Sequence, residues 1–296
     1  MKSAPLEYVR ATDAAHAVAL LAEHGPDARI LAGGQSLVQL LNFRHARPSV
    51  LVDINRTTDL DYVRLEGDTL VIGAMTRLRT LENSAEVAAA VPLLPKALGF
   101  VGHVANRNRG TIGGSLAFAD PAGEVPAVAT ALGADMVVTG PDGTRTISAA
   151  DFFTGEYTTA LAPGELLTAV RLPVLAPGSG VAVEELSLRH NELAVVAAMA
   201  AVTLDGEGRV AGAWLSVAGA NPVPVRLSES ESILTGKAPS SEVIAAAGAA
   251  VGAVVQPVGN RHAPAEYRRQ MAQVFVTRAI TNAVTNAVTR TQERAA

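Results

Sequence analysis

The sequence contains no cysteine. That excludes disulfides, thiolate metal sites, cysteine nucleophiles and any iron–sulfur cluster held by this chain. Aromatic residues make up only 4%, too few for a nucleic-acid platform built from stacked rings. Positive charge is not in excess. The 24 Lys and Arg against 28 Asp and Glu leave a net charge of −4, which offers no basic surface to a phosphate backbone. Long hydrophobic runs are missing too. The longest, Leu193 to Leu204, is too short to span roughly 30 Å of hydrocarbon as a helix. The N-terminal stretch MKSAPLEYVRATDAA has no continuous apolar segment of the kind a secretory signal needs, so a cytoplasmic location is the expectation.

What is present describes a folded protein. The chain has 296 residues, 49% hydrophobic and 18% charged, which is globular composition. At about 100–200 residues per domain, two or three compact units are expected. Thr12-Asp13 can cap a helix with Ala14, Val18 and Leu21 at helical spacing, stopped by Gly25-Pro26. Ala28 to Ala32 and Ser49 to Ile54 read as strands. Residues 65–73 and 136–147 read as hairpins, the second with a Pro-Asp-Gly turn. Helical segments are expected at 78–83, 91–100 and 125–132, a polar stretch at 103–109 and a strand at 166–172. Pro173 to Gly180 is the best linker candidate. Beyond it, the runs 181–188, 194–204 and 210–217 predict an antiparallel meander, followed by helices at 228–234, 241–254 and 263–288.

Several motifs of common chemistries are absent. No G-x-G-x-x-G follows a strand, Gly236-Lys237 is not part of a phosphate-binding P-loop, and neither H-E-x-x-H nor G-x-S-x-G occurs. The six histidines are scattered without ligand spacing. Two double-glycine segments stand out instead: Leu31-Ala32-Gly33-Gly34-Gln35-Ser36-Leu37 and Thr111-Ile112-Gly113-Gly114-Ser115. Paired glycines tolerate positive φ and carry no Cβ, so successive backbone N–H groups can turn toward one point. Such a nest can hold a diphosphate without a lysine, and a following serine adds a donor. Either pair alone could equally be a tight turn. Just beyond the second, Asp120 and Glu124 could accept from ribose hydroxyls or serve a helix N-terminus.

The pattern AGGQSL, followed later by NRGTIGGSLAFADPAGEVPA, resembles the FAD-binding medium subunit of the molybdenum hydroxylases. The closing segment Arg261 to Arg269 and the order of elements resemble that family as well, over nearly the full chain. The resemblance implies an α+β fold. Two α/β FAD-binding subdomains of the vanillyl-alcohol-oxidase (PCMH) type would occupy residues 1–55 and 56–175. A C-terminal domain with a three-stranded antiparallel sheet and helices would occupy residues 176–296. It further implies that residues 31–37 and 111–115 bind the FAD diphosphate. Glu124 would lie on the adenosine ribose, Leu167 and Leu193 at the flavin, and Val101 among the cofactor contacts. In the stretch 189–194 the family form is R-x-G-D-(aromatic)-A; here Asn191 replaces the glycine, Glu192 the aspartate and Leu193 the aromatic ring.

On this resemblance the chain is the flavoprotein subunit of a molybdenum-containing dehydrogenase. FAD would be bound non-covalently. Molybdopterin would reside on a large partner subunit and [2Fe–2S] clusters on a small one, the three assembling as a dimer of heterotrimers. No nucleic-acid partner, metal site or catalytic acid or base of this chain is expected. Two alternatives stand beside it: a free-standing FAD oxidase of the same superfamily, and a module that has lost its flavin.

Overall fold

The computed structural model describes residues 2–189 and 191–295. The N-terminal unit is β1 (Glu7–Arg10), α1 (Ala14–His24), β2 (Ala28–Leu31), α2 (Leu37–Asn42) and β3 (Val50–Asp53). Its strands pair in parallel in the order β1-β3-β2, so Arg10, Leu31 and Asp53 end the three strands along one edge. The Asp13 side chain caps α1 by accepting from the His16 N–H, and Gly25 closes it at φ 61°. Val18 and Leu21 of α1 pack with Val50 and Val52 in a small core of their own.

The second unit opens with the hairpin β4 (Val63–Glu66) and β5 (Thr69–Gly73). A run of short helices follows: α3 (Leu78–Asn83), α4 (Ala85–Ala90), α5 (Leu93–Leu98), α6 (Val104–Arg109), α7 (Ile112–Phe118) and α8 (Glu124–Leu132). Then come β6 (Asp135–Gly140), β7 (Gly143–Ser148), α9 (Ala149–Phe152), β8 (Phe153–Gly155), β9 (Thr158–Thr159) and β10 (Leu166–Pro173). The last of these, β10, inserts between the two hairpins to give the antiparallel order β4-β5-β10-β6-β7, with a register shift between Leu167 and Ala169. The polar stretch 103–109 is helical, which apolar periodicity could not announce. Its start is held by Asn106, whose Oδ1 accepts from the His103 N–H at 3.0 Å.

The C-terminal unit comprises β11 (Gly180–Ser187), β12 (Ala194–Leu204), β13 (Val210–Ala218), β14 (Val225–Arg226), α10 (Ser228–Leu234), α11 (Ser241–Val254) and α12 (Ala265–Ala295). The meander is as expected, with a short fourth strand added at its edge. Strand β12 accounts for the apolar run noted above. Ala197, Met199 and Ala201 face the core shared with the second unit. Val196, Ala198, Ala200 and Val202 face the core under α11 and α12. A strand covered on both sides has no need of alternating polarity. Among the described residues, no helix is long and apolar enough to cross a membrane.

Candidate functional site

The first glycine pair sits where a parallel sheet places ligands, just past the carboxyl end of β2. Gly34 has φ 75°, a left-handed conformation that a glycine adopts without strain. Gly33 serves a different need. A Cβ there would run into the carbonyl of Arg109 and the Cα of Gly110, so the loop lies directly on the backbone that introduces the second glycine motif. The geometry leaves a row of donors open. Among the described residues, the N–H groups of Gly33, Gly34, Gln35, Ser36 and Leu37 meet no protein acceptor. Those of Gly33, Gly34 and Gln35 border a cavity of about 300 Å³ formed by Leu31 through Gln35 with Val38, Gln39, Asn55 and Arg109.

The second motif is built differently from the first. Thr111 caps α7 through its hydroxyl, which accepts from the Gly114 N–H at 3.1 Å. The N–H of Ile112 donates to Thr76, that of Gly113 to Ala74 and that of Ser115 to Thr111, each through a carbonyl. This segment is therefore not a second backbone nest, because its donors are spent inside the protein. Its glycines permit close packing. A Cβ on Gly113 would overlap Ala74, and one on Gly114 would sit 3.8 Å from the Cβ of Ala32 in the first motif. The two motifs thus converge. The Ser115 hydroxyl, like that of Ser36, has no partner among the described residues.

Residues outside both motifs hold them together. Asn55, just after β3, donates to the carbonyl of Ala32 at 2.8 Å and to Asp53 Oδ1 at 2.6 Å. Arg77 donates to Asn55 Oδ1 at 2.9 Å and to the Arg109 carbonyl at 2.5 Å. Asn106 donates to Gln35 Oε1 at 3.0 Å. Burial, then the neighbouring Arg109 charge, draws the Arg77 guanidinium below its ordinary value. Arg109 thus stands beside a row of unpaired N–H donors, with Arg77 behind it, an arrangement that favours an anion. Sequence reading did not single out Asn55, Arg77 or Arg109. The available signal was an Asn-Arg pair directly after a parallel strand.

The remaining expected contacts lie elsewhere. Val101 follows α5, and its carbonyl accepts from Arg107. Leu167 is buried in the core at the β10 bulge. Leu193 is 67% exposed. Asn191, in the position where a glycine was expected, has φ 66°, which asparagine tolerates better than most residues. His190 lies outside the described residues. Glu124 begins α8 and is 7% exposed, set against Glu185 of β11 rather than in the cavity. Burial pushes Glu124 up to about 8, and the Glu185 and Asp120 carboxylates add to the rise. Burial pushes Glu185 up to about 7, opposed by hydrogen bonds with Ser187 and Glu124. Both carboxyls are therefore raised together, as one interacting pair. The other Glu185 oxygen, Oε2, is buried without a partner.

The comparisons with known proteins agree with this architecture. Residues 4–175 match the family described as the FAD binding domain in molybdopterin dehydrogenase. Residues 181–283 match the CO dehydrogenase flavoprotein C-terminal domain. The chain is 42% identical to the 6-hydroxypseudooxynicotine dehydrogenase complex subunit alpha of Paenarthrobacter nicotinovorans, over 95% of each chain. It is 39% identical to the carbon monoxide dehydrogenase medium chain of Afipia carboxidovorans, over 93% of this chain and 95% of that one. A solved carbon monoxide dehydrogenase structure from Hydrogenophaga pseudoflava superimposes with a TM-score of 0.94 at 37% identity. That match covers 97% of this chain and 99% of the other.

Proposed function

The chain belongs to the FAD-binding subunits of the molybdopterin dehydrogenases, and from that premise we propose that the 33–37 loop is its diphosphate anchor. The observation that carries this is the row of five backbone donors without a protein acceptor, at the carboxyl end of a parallel strand. The residues fit the group. The cradle depends on a glycine whose Cβ would strike backbone. The cavity offers N–H groups and one cationic side chain, Arg109, and no carboxylate lines it.

In this reading residues 33–37 direct main-chain dipoles at the diphosphate oxygens. Arg109 adds charge at the mouth, and Arg77 positions Asn55 and the Arg109 carbonyl behind them. Ser36 and Ser115 contribute hydroxyl donors. When bound, FAD would supply the redox chemistry, a relay between partner iron–sulfur clusters and an external acceptor. This chain's part is to bind, orient and exclude water, so no catalytic acid or base is assigned to it.

The finer assignments are part of the same proposal. Leu167 and Leu193 lie at the flavin, Val101 is among the cofactor contacts, and Glu124 lies toward the adenosine ribose. The units divide at residues 55 and 175. The assembly is a cytoplasmic heterotrimer with a small iron–sulfur subunit and a large molybdopterin subunit, paired as a dimer. Relatives described as a complex subunit and as medium chains support this. Co-purification with tagged candidate partners, together with an absorbance spectrum of the chain, tests both levels. Flavin absorbance on the isolated chain supports the anchor; recovery of all three subunits supports the assembly.

A further inference from the structure

A second cavity, of about 360 Å³, lies away from the glycine loops, where α4 and α5 meet β11 and α12. Ala88, Pro92 and Val181 form its apolar wall, and Lys96, Asn286 and Arg290 supply its polar groups. No carboxylate lines it. The donors are held in place by backbone. Lys96 Nζ and Asn286 Nδ2 converge on one acceptor, the Val181 carbonyl, at 3.2 and 3.0 Å. Arg290 Nη1 donates to the Ser179 carbonyl at 2.9 Å.

Each anchor uses only part of the donor's capacity. An ammonium has three N–H groups and a guanidinium five, so most remain available. Neither cation forms an ion pair with a carboxylate among the described residues. The spacing of these groups is set by close packing. A Cβ on Gly180 would strike the carbonyl of Ala283 and the amide of Ala287, so the start of β11 lies on the backbone of α12. In a chain of net charge −4, two cations anchored on backbone carbonyls around one hollow, with no carboxylate in its lining, favour an anion.

We propose that this cleft binds a small molecule bearing an oxyanion, a phosphate or carboxylate, with Lys96 and Arg290 as its cationic arms. Asn286 gives a neutral donor, and the Ala88–Pro92–Val181 wall accommodates a compact apolar body. The volume is at the small end of ligand pockets, which run from about 300 Å³ upward. The site is separate from the flavin anchor and does not depend on it.

The test uses FAD-loaded protein, so that the glycine loop does not compete for the probe. Inorganic phosphate and benzoate are titrated by calorimetry and by thermal shift, against chloride at matched ionic strength. The expected result is saturable binding of at least one probe, weakened about tenfold or more in both Lys96→Gln and Arg290→Gln with flavin content unchanged. Phosphate binding alone identifies a phosphate site, and benzoate binding a carboxylate site with an apolar body. Shifts no larger than those of chloride, or binding that survives the Lys96→Gln/Arg290→Gln double variant, would overturn the proposal. The glutamine variants retain hydrogen-bonding capacity and sit at exposed positions, so the fold is kept.

Discussion

Arg77 Nη2 donates to Asn55 Oδ1 at 2.9 Å, and this bond ties the parallel N-terminal unit to the antiparallel second one. The same guanidinium reaches the Arg109 carbonyl, against which Gly33 is packed. Arg77 therefore sets the distance between the two glycine motifs. Arg77→Ala removes hydrogen bonds from a charged donor, each worth about 1.5–3 kcal/mol. The expected outcome is FAD binding weakened about 10- to 100-fold, read from quenching of flavin fluorescence. Arg77→Lys should fail to restore it, because a single ammonium does not replace a planar fork with two acceptors. Wild-type affinity in Arg77→Ala would remove Arg77 from the positioning network.

The glycines separate shape from flexibility. Gly33→Ala places a methyl on the Arg109 carbonyl and Gly113→Ala places one on Ala74. In both cases the loops must move apart, and loss of bound flavin is expected. Gly34→Ala introduces strain at φ 75°, about 1–2 kcal/mol, in the loop that presents the donors. Gly67 is the control. It too has positive φ, at 58°, but a Cβ there meets nothing within 4 Å. Gly67→Ala should lower the melting temperature comparably to Gly34→Ala and leave flavin content intact. Equal flavin loss in all four variants would mean that stability, not site geometry, governs retention.

The contrast between the two glycine motifs marks how far the sequence could be read. That both serve one place was visible from their repeated form, and Asp13, Gly25 and the meander were visible from capping and alternation. The different roles of the two pairs were not. Whether a Gly-Gly is a nest or a packing contact depends on which backbone lies opposite, and Ala74 and Arg109 reach those positions only through tertiary folding. The Arg77–Asn55 pair is hidden for the same reason, its members lying 22 residues apart in loops of different units. Glu185 read as one polar position in a strand, and its contact with Glu124 exists only because the C-terminal sheet packs on α8.

The unpartnered hydroxyls offer a test that leaves the fold alone. Ser36 and Ser115 flank the convergence of the motifs and make no side-chain hydrogen bond among the described residues. Removing a hydroxyl that bonds nothing in the protein costs little stability. A hydroxyl that donates to a charged ligand contributes about 1.5–3 kcal/mol to binding. Ser36→Ala and Ser115→Ala should each weaken FAD about tenfold or more, with melting temperatures of the flavin-free proteins within error of wild type. Unchanged affinity in one of them would assign that serine to the surface.

The Glu124–Glu185 pair makes stability depend on pH in a defined direction. Unfolded, both are ordinary glutamates with values of 4.5; folded, Glu124 is raised to about 8 and Glu185 to about 7. Between those limits the folded chain binds more protons than the unfolded one. The sign of linkage is then fixed: the pair's contribution is full below pH 4.5 and is lost as pH rises through 7 to 8. Above that range the loss is complete and the curve flattens. The half-buried Asp120, raised by desolvation, acts in the same direction. Glu185→Gln leaves Glu124 a neutral hydrogen-bond partner and removes one titrating group. Wild-type protein should melt several degrees lower at pH 8.5 than at pH 5.5, at about 2–4 °C per kcal/mol for a chain of 150–250 residues. In Glu185→Gln that difference should shrink, with the gain appearing at the alkaline end. Flavin-free protein is the sample for this measurement, because a ligand on Glu124 would alter the folded-state values. Identical slopes in wild type and variant would show that the two carboxyl groups do not share a proton across this interface.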